Sequence, residues 1–479
     1  MMAVLSAASS CKAWLSVESE DRILEEKMFS TTDGFYTALN GVYIDLVSKD
    51  LYSGTFGPTT PDILAQYWNT EADSHLSGSL ALFQNEAKKT AVNSCWTRAY
   101  ALILNLNKII GHCDNGVLPT LDYNIIKGEA TALRALLHFE LLRYFGPAYK
   151  VASGAAAIPY MTSADPKVGE VLSVQKVLAM VNADIEEALA LLEQSDPVVK
   201  YGKNESGQGP VSSRNIYSYR NLRMNLYAVK ALGARVNMYM SSLSSYRAKA
   251  LSYAEAVIAD AAQWFPFTTR EEANGVTIGV KDRILSSDIL FAVYNTKRGA
   301  DIYEQNFSNT LQVNRLLAMT PNGYKAMLPY ESDLRTVQWA SRQDVAGNDV
   351  MCLVKYEAVE ADGFNFPYMI PVLRMSEMYL IAAECYALDG KEDLAYERLN
   401  SLRNARQIPS ASSALMAEIE KEYIREFAGE GQYFWYCKRN NFTALTCLYD
   451  RTRPDKSVSA DTYLFALPQA EEGYRDGTN

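Results

Sequence analysis

The stretch at residues 371–406, PVLRMSEMYLIAAECYALDGKEDLAYERLNSLRNAR, decides the fold. Tyr379, Ala382, Ala383 and Tyr386 recur at helical spacing on one face, Asp389-Gly390 interrupts the pattern, and Ala395, Leu399 and Leu402 resume it. This is the pattern of a helical hairpin. Ala383 and Tyr386 precede Ala395 by twelve and nine residues and Leu399 follows it by four. That is the small/large alternation of a tetratricopeptide unit of about 34 residues, with the closing proline two residues late at Pro409. One hairpin of this kind cannot bury its own apolar face, so similar units are expected to stack on it.

Working outward, the same periodicity predicts helices over 32–48, 89–110, 125–145, 174–193, 221–241 and 247–262, and one more over 412–428. The third stops at Gly146-Pro147. The chain therefore reads as mainly α: four tetratricopeptide-like helical pairs with long irregular loops and a few short β-hairpins. The run at 288–295, DILFAVYN, alternates as a strand does. Residues 1–20 read as a tether and 21–479 as a single domain, with loop-rich insertions at 51–88, 146–172 and 296–369. In the last of these, periodicity nearly vanishes, but its aromatic residues favour a packed, loop-rich subdomain over disorder.

Composition narrows the function. Forty-six basic against 56 acidic residues give a net charge of −10, and no run of like charges reaches five residues. Both facts argue against a nucleic-acid or anionic-membrane surface. Seven cysteines without a CxxC pair suggest neither a zinc site nor a thioredoxin-like motif, and no cofactor or metal is expected. Of the three histidines, His138 lies in a helical pattern and is expected to be packed. Glu418, Glu420, Glu422 and Glu426, interleaved with Lys421 and Arg425, read as a solvated helix face. The N-terminus, MMAVLSAASSCKAWLSVE, carries an apolar run of about ten residues, short of the about twenty that a membrane span needs. Small residues followed by Cys11 resemble the end of a bacterial lipoprotein signal peptide, with Cys11 as the lipidated residue.

There are 31 tyrosines and six tryptophans. Their rings join a flat apolar face to a hydrogen-bonding edge, which suits sugar recognition when polar side chains stand beside them. Aromatics on helical stripes are consumed by packing, so the candidates lie in loops. Trp68 with Tyr67, Asn69 and Asp73 forms the leading cluster. Trp339 with Tyr330 and Arg335 forms the second, and Tyr303 with Asn306 the third. Each cluster either presents a binding surface or anchors its loop on the scaffold. Trp96 and Trp264 read as packing residues, and Trp14 belongs to the tether.

Five motifs in order resemble one family, the SusD/RagB-like nutrient-binding lipoproteins of Bacteroidetes. They are SSCKAWLSVESEDRI (9–23), GEATALRALLHFELLRYFGPAY (128–149), IPVLRMSEMYLIAAECYAL with LNSLRNAR (370–388 and 399–406), EIEKEYIREFAGEGQYFWYCKR (418–439) and YLFALPQAE (463–471). Departures stand at Ser19, where proline is common, and at Tyr423 and Gln432-Tyr433, where arginine is common. The resemblance implies the same helical fold. It also implies a lipid-anchored, surface-exposed outer-membrane protein that binds an oligosaccharide, performs no chemistry on it, and delivers it to a SusC-like TonB-dependent transporter. Two other readings stand beside it: a helical-repeat scaffold for protein partners or a RagB-like lid that binds peptide, and a helical glycoside hydrolase motivated only by the many carboxylates.

Overall fold

The computed structural model describes residues 20–165, 168–205, 207, 216–276, 278–468 and 471. Eight helices form the scaffold: α1 (Thr32–Asp45), α2 (Asn85–His112), α3 (Thr120–Phe145), α4 (Val174–Leu192), α5 (Leu226–Met238), α6 (Ser244–Ala261), α7 (Met375–Leu388) and α8 (Glu392–Ala405). Each packs on the next in chain order, and α6 meets α7 across the long insertion between them, so the four expected pairs form one stack. Two further helices follow, α9 (Leu415–Glu426) and α10 (Gln432–Asn440); the second was not legible as a helix in the sequence. None of the described helices is long and apolar enough to cross a membrane.

Local chemistry sets the helix starts. The Thr31 hydroxyl accepts from Gly34 N at 3.1 Å, Ser173 from Lys176 N at 3.3 Å, and the Asn225 side-chain oxygen from Tyr227 N and Ala228 N at 3.0 Å each. These bonds satisfy amides that would otherwise lack partners. In the 371–406 hairpin, Ala382, Ala383, Ala395, Leu399 and Leu402 are fully buried, as their spacing required. Gly390 closes α7 at φ 71°, a left-handed turn that side chains resist. At the α5–α6 crossing, a Cβ on Gly233 would lie 2.9 Å from the Tyr253 ring, so glycine lets the two backbones approach.

The hairpin reading needs one correction. Residues 371–374 belong not to α7 but to strand β7 (Met369–Arg374), which pairs antiparallel with β3 (Ile289–Tyr294), with Leu373 opposite Phe291 and Ile370 opposite Val293. Pro371 lacks an N–H and disfavours helical geometry at Ile370, so the helix starts only after it. Within the insertion, β4 (Ala318–Met319), β6 (Asp349–Leu353) and β5 (Trp339–Gln343) form a three-stranded sheet in that order. The β5–β6 turn is held by the Asp344 carboxylate, which accepts from Ala346 N and Asn348 N. A short antiparallel pair, β1 (Ala156–Pro159) with β2 (Val171–Ser173), lies in the second insertion.

Helix α3 runs through the centre: every residue from Gly128 to Phe145 is buried, including six that are polar or charged. All but Thr131, whose hydroxyl is unpartnered, have side-chain partners. Arg134 grips Asp184 through two bonds of 2.8 Å, Glu129 receives Arg220 at 2.7 Å, and Arg143 pairs with Glu140. His138 is packed, as expected: it stacks on Tyr160 at 3.8 Å, its Nδ1 meets the Arg134 carbonyl, and its Nε2 accepts from Met161 N. That arrangement requires the neutral ring, and burial, with the Arg134 charge adding to it, pushes the imidazole down to about 3.

The acidic residues of α9 are not a solvated face. Glu422 and Glu426 are buried, and they belong to a chain of alternating charges. Lys355 pairs with Glu430, Glu430 with Arg374, Arg374 with Asp288, Asp288 with Arg406, Arg406 with Glu426, Glu426 with Arg335, and Arg335 with Glu422. Asp333 also holds Arg335, while Arg403, Arg425 and Glu418 extend the far end. Six cations thus face six carboxylates. Helix α9 places its acids here because its other side, with Ile419, Tyr423 and Phe427, is needed against the core. Tyr423 stands at a position where the family often has arginine; a neighbouring cation, Arg439, instead pairs with Glu384 and lies over the Tyr423 ring.

Two predictions follow from these buried charges. Burial opposes ionisation of Glu426, but Arg406, Arg335 and Arg374 outweigh it and hold its carboxyl well below the usual range. Removing one partner strands the others, so Glu426→Ala should lower unfolding stability at pH 7 by roughly 3–5 kcal/mol in a denaturant titration. The Glu426 contribution is present above pH ~4.5 and lost below it. His138 has a folded-state pKa below its unfolded value, so its contribution is present above pH ~6.5 and lost on acidification. Between pH 6.5 and 5, wild type should therefore lose up to about 1.4 kcal/mol per pH unit relative to His138→Gln.

Candidate functional site

The structure divides the nine expected binding residues sharply. Trp68 is 1 % exposed and Tyr67 is fully buried. The Tyr67 hydroxyl donates to the Ile424 carbonyl at 2.6 Å, and Trp68 packs against Phe307 at 5.1 Å and Trp339 at 5.9 Å. Trp339, expected in a separate cluster, meets Trp68 inside the core. Tyr303 is buried beneath Arg342, which donates to its hydroxyl at 2.7 Å. Arg335 is consumed by Asp333, Glu422 and Glu426. These five residues are corrected from binding surface to anchors. The loops that carry them have no long helix of their own to bury, so their largest rings do the packing.

Four of the nine reach solvent. Asn69 and Asn306 are half-buried, and both are occupied locally: Asn69 accepts from Glu71 N at 3.1 Å and Asn306 donates to the Ile302 carbonyl at 2.9 Å. Asp73 is exposed. Tyr330 is half-buried at the edge of a groove of about 380 Å³ shared with Glu418, Lys421 and Arg451. The expected lipidation residue, Cys11, lies outside the described residues. The other six cysteines are free, buried thiols.

A second concavity, of about 430 Å³, has the more distinctive chemistry. Strands β3 and β7 end side by side, and the turn at Phe366–Tyr368 leads into β7. That turn and the residues before it, 364–369, make one wall, with Phe364 46 % exposed. Tyr294 at the end of β3 is 38 % exposed and lies 5.4 Å from the Tyr368 ring at 61°. Tyr219, held in left-handed backbone at φ 51°, and Tyr368 stand near Tyr294, outside the residues that line the concavity. The opposite wall comes from the linkers around α5 and before β3: Lys203, Asn221, Asp282 and Ser287.

Two buried acceptors in this wall have no donor. Asp282 receives Ser286 N and the Ser286 hydroxyl on one carboxylate oxygen, at 2.7 and 2.8 Å, which leaves the other unpartnered. The side-chain oxygen of Asn221, a residue 2 % exposed, is likewise unpartnered. Burial raises the Asp282 pKa and lowers that of the Lys203 ammonium, which lies 5.8 Å over the Phe265 ring. Aromatic faces beside short, convergent acceptors and one ammonium donor fit a ligand that presents hydroxyls around an apolar ring face. No group of three or more His, Cys, Asp or Glu among the described residues is arranged to hold a metal ion.

The sequence reading missed this cleft. The signal was the run Phe364-Asn365-Phe366-Pro367-Tyr368, three aromatics beside an asparagine and a proline at the edge of an insertion. Lys203, Asn221 and Asp282 gave none, because polar linker residues are common and only the fold brings these three together.

Comparison with known proteins agrees with this architecture. The model described as "SusD family" matches residues 365–475, and the one described as "Starch-binding associating with outer membrane" matches 41–206. A SusD-like protein P38 of Formosa agariphila is 22 % identical, over 91 % of this chain and 89 % of its own. The crystal structure of a SusD superfamily protein of Bacteroides thetaiotaomicron superposes with TM-score 0.72 at 21 % identity, covering 92 % of this chain and 97 % of that one. Surface glycan-binding protein A of Bacteroides uniformis gives 0.69 at 17 %, covering 94 % and 99 %. With the four-pair stack and the ordered motifs, these matches support the SusD/RagB-like family for this chain.

Proposed function

We propose that this protein binds an oligosaccharide at the outer membrane and delivers it to a SusC-like TonB-dependent transporter. The observation that carries the reading is the cleft between the 364–369 turn and the α5 linkers, where the exposed Phe364 ring and two unpartnered buried acceptors line one space. Sugar hydroxyls donate to Asp282 and Asn221 and accept from Lys203, while an apolar ring face lies on Phe364. Family descriptions that name starch binding and outer-membrane association, and the glycan-binding relative, support the ligand class and the location. A lipid on Cys11 would tether the chain to the membrane surface. Recognition alone accounts for every feature of the cleft, and the reading includes no turnover.

Isothermal titration against a panel of neutral oligosaccharides tests it. Phe364→Ala should weaken binding at least about tenfold, a loss of roughly 1.4 kcal/mol. Its thermal midpoint should hold, because the ring is 46 % exposed. Trp68→Ala should do the reverse, lowering stability by about 3–5 kcal/mol while the folded fraction binds normally. Undiminished binding in Phe364→Ala, or silence across the panel, would remove this reading.

A further inference from the structure

The cleft beside the 364–369 turn carries an unbalanced set of charges. Three carboxylates line it, Glu205, Glu272 and Asp282, against one ammonium, Lys203. Consecutive serines bring two of the carboxylates together. Ser286 donates its N–H and its hydroxyl to Asp282 at 2.7 and 2.8 Å, and the Ser287 hydroxyl donates to Glu272 at 3.2 Å. The Asp282 amide also donates to the Glu272 carbonyl at 3.4 Å, so the two residues are neighbours through backbone as well as side chain. The second Glu272 oxygen accepts from Thr269 N at 2.7 Å, closing a capping box that fixes where this carboxylate stands.

Every donor on this pair is a neutral N–H or O–H. Such bonds occupy lone pairs but do not cancel charge. Among the other buried carboxylates of the described residues, only Asp62 also lacks an ion pair, and each of its oxygens takes a glycine amide. Two cations act on Asp282 from the interior: Arg298, which holds the Phe366 and Met369 carbonyls at 2.8 and 2.9 Å, and Arg374, already paired with Asp288 and Glu430. Neither faces the mouth. There Glu205 and Glu272 are exposed, and Lys203 stands near enough to both, and to Asp282, to feel their charge without forming an ion pair with any. One ammonium among three carboxylates leaves the space short of positive charge.

That shortage sorts ligands. A uronate or sulfated sugar meets like charge, whereas a neutral sugar uses the acceptors and leaves the charge unanswered. A metal ion is not the remedy, since the described acids are not arranged to hold one. A sugar ammonium offers three donors and a positive charge, and Phe364, 46 % exposed in the same space, presents a ring face to the sugar that carries it.

We propose that this cleft selects amino sugars, with the ammonium of a hexosamine unit among Glu272, Asp282 and Glu205. The proposal rests on the reading of this cleft as the glycan site and adds to it the class of glycan.

Isothermal titration of the whole protein tests it with hexamers of β1,4-linked glucosamine, glucose and glucuronate, and with the matching α1,4-linked galacto series, at about pH 6, where a sugar amine is charged. In at least one series, at low salt, the amine should bind about fivefold tighter than the neutral hexamer, and the uronate more weakly than either. In sodium chloride at about 0.5 M, the advantage should shrink to about twofold or less. Glu272→Gln and Glu205→Gln should each cut the amine-over-neutral ratio at least about twofold, and both side chains are exposed enough for the variants to fold. Equal binding of amine and neutral hexamers, tighter binding of the uronate, or a ratio unmoved in both variants would overturn the proposal and leave the glycan reading standing. Silence of both amine hexamers while other neutral oligosaccharides bind would do the same. Silence of every sugar would remove both.

Discussion

The buried chain of alternating charges from Lys355 through Asp288 and Glu426 to Arg403 is the constraint on which the rest of the architecture depends. It ties together pieces far apart in sequence: the start of β3, the end of β7, the three-ten turn carrying Arg335, the end of α8 and one face of α9. Hydrophobic burial alone would let these pieces slide, because it has no direction. An arginine held by two carboxylates does not slide without leaving a charge stranded in the core. The chain therefore fixes the register of the irregular insertion against the helical stack, and that register is what sets the cleft walls opposite each other.

The helical stack was legible in the sequence because its signal is local. Small residues at crossings and apolar residues at helical spacing can be counted along the chain, and the 371–406 hairpin shows both. The ends of the pattern were harder. A proline turned residues 371–374 into a strand, and α10 hides in a run, QYFWYCKRN, that is aromatic on nearly every side. The acids of α9 looked solvated because a Glu-Lys-Glu pattern is the same whether a helix faces water or a ring of arginines. Only the three-dimensional position of Arg335, Arg403 and Arg406 distinguishes the two.

The proposed cleft was not legible in place. Among loop aromatics, size favoured Trp68 and Trp339, and size is also what fits a ring to anchor a loop. Smaller-area, half-exposed rings such as Tyr294 and Phe364 remain at the surface because their neighbours in sequence, Val293 and Phe366, take the buried positions. The polar half of the cleft comes from linkers between helical pairs. The linker that carries Asn221 also carries Arg220, which holds Glu129 of α3, so that wall is tied to the stack.

The way the two halves of the chain close on each other bears on its synthesis. The Asp62 carboxylate is satisfied by the amides of Gly429 and Gly431, and Lys88 and Lys438 each reach backbone carbonyls of residues 461–464. Phe465 covers the ring of Tyr144, at the end of the central helix. None of these groups has its partner until residues 429–465 have been made. The interior of the first third is therefore completed only when the C-terminal segment arrives, even though its helical pairs pack on their chain neighbours.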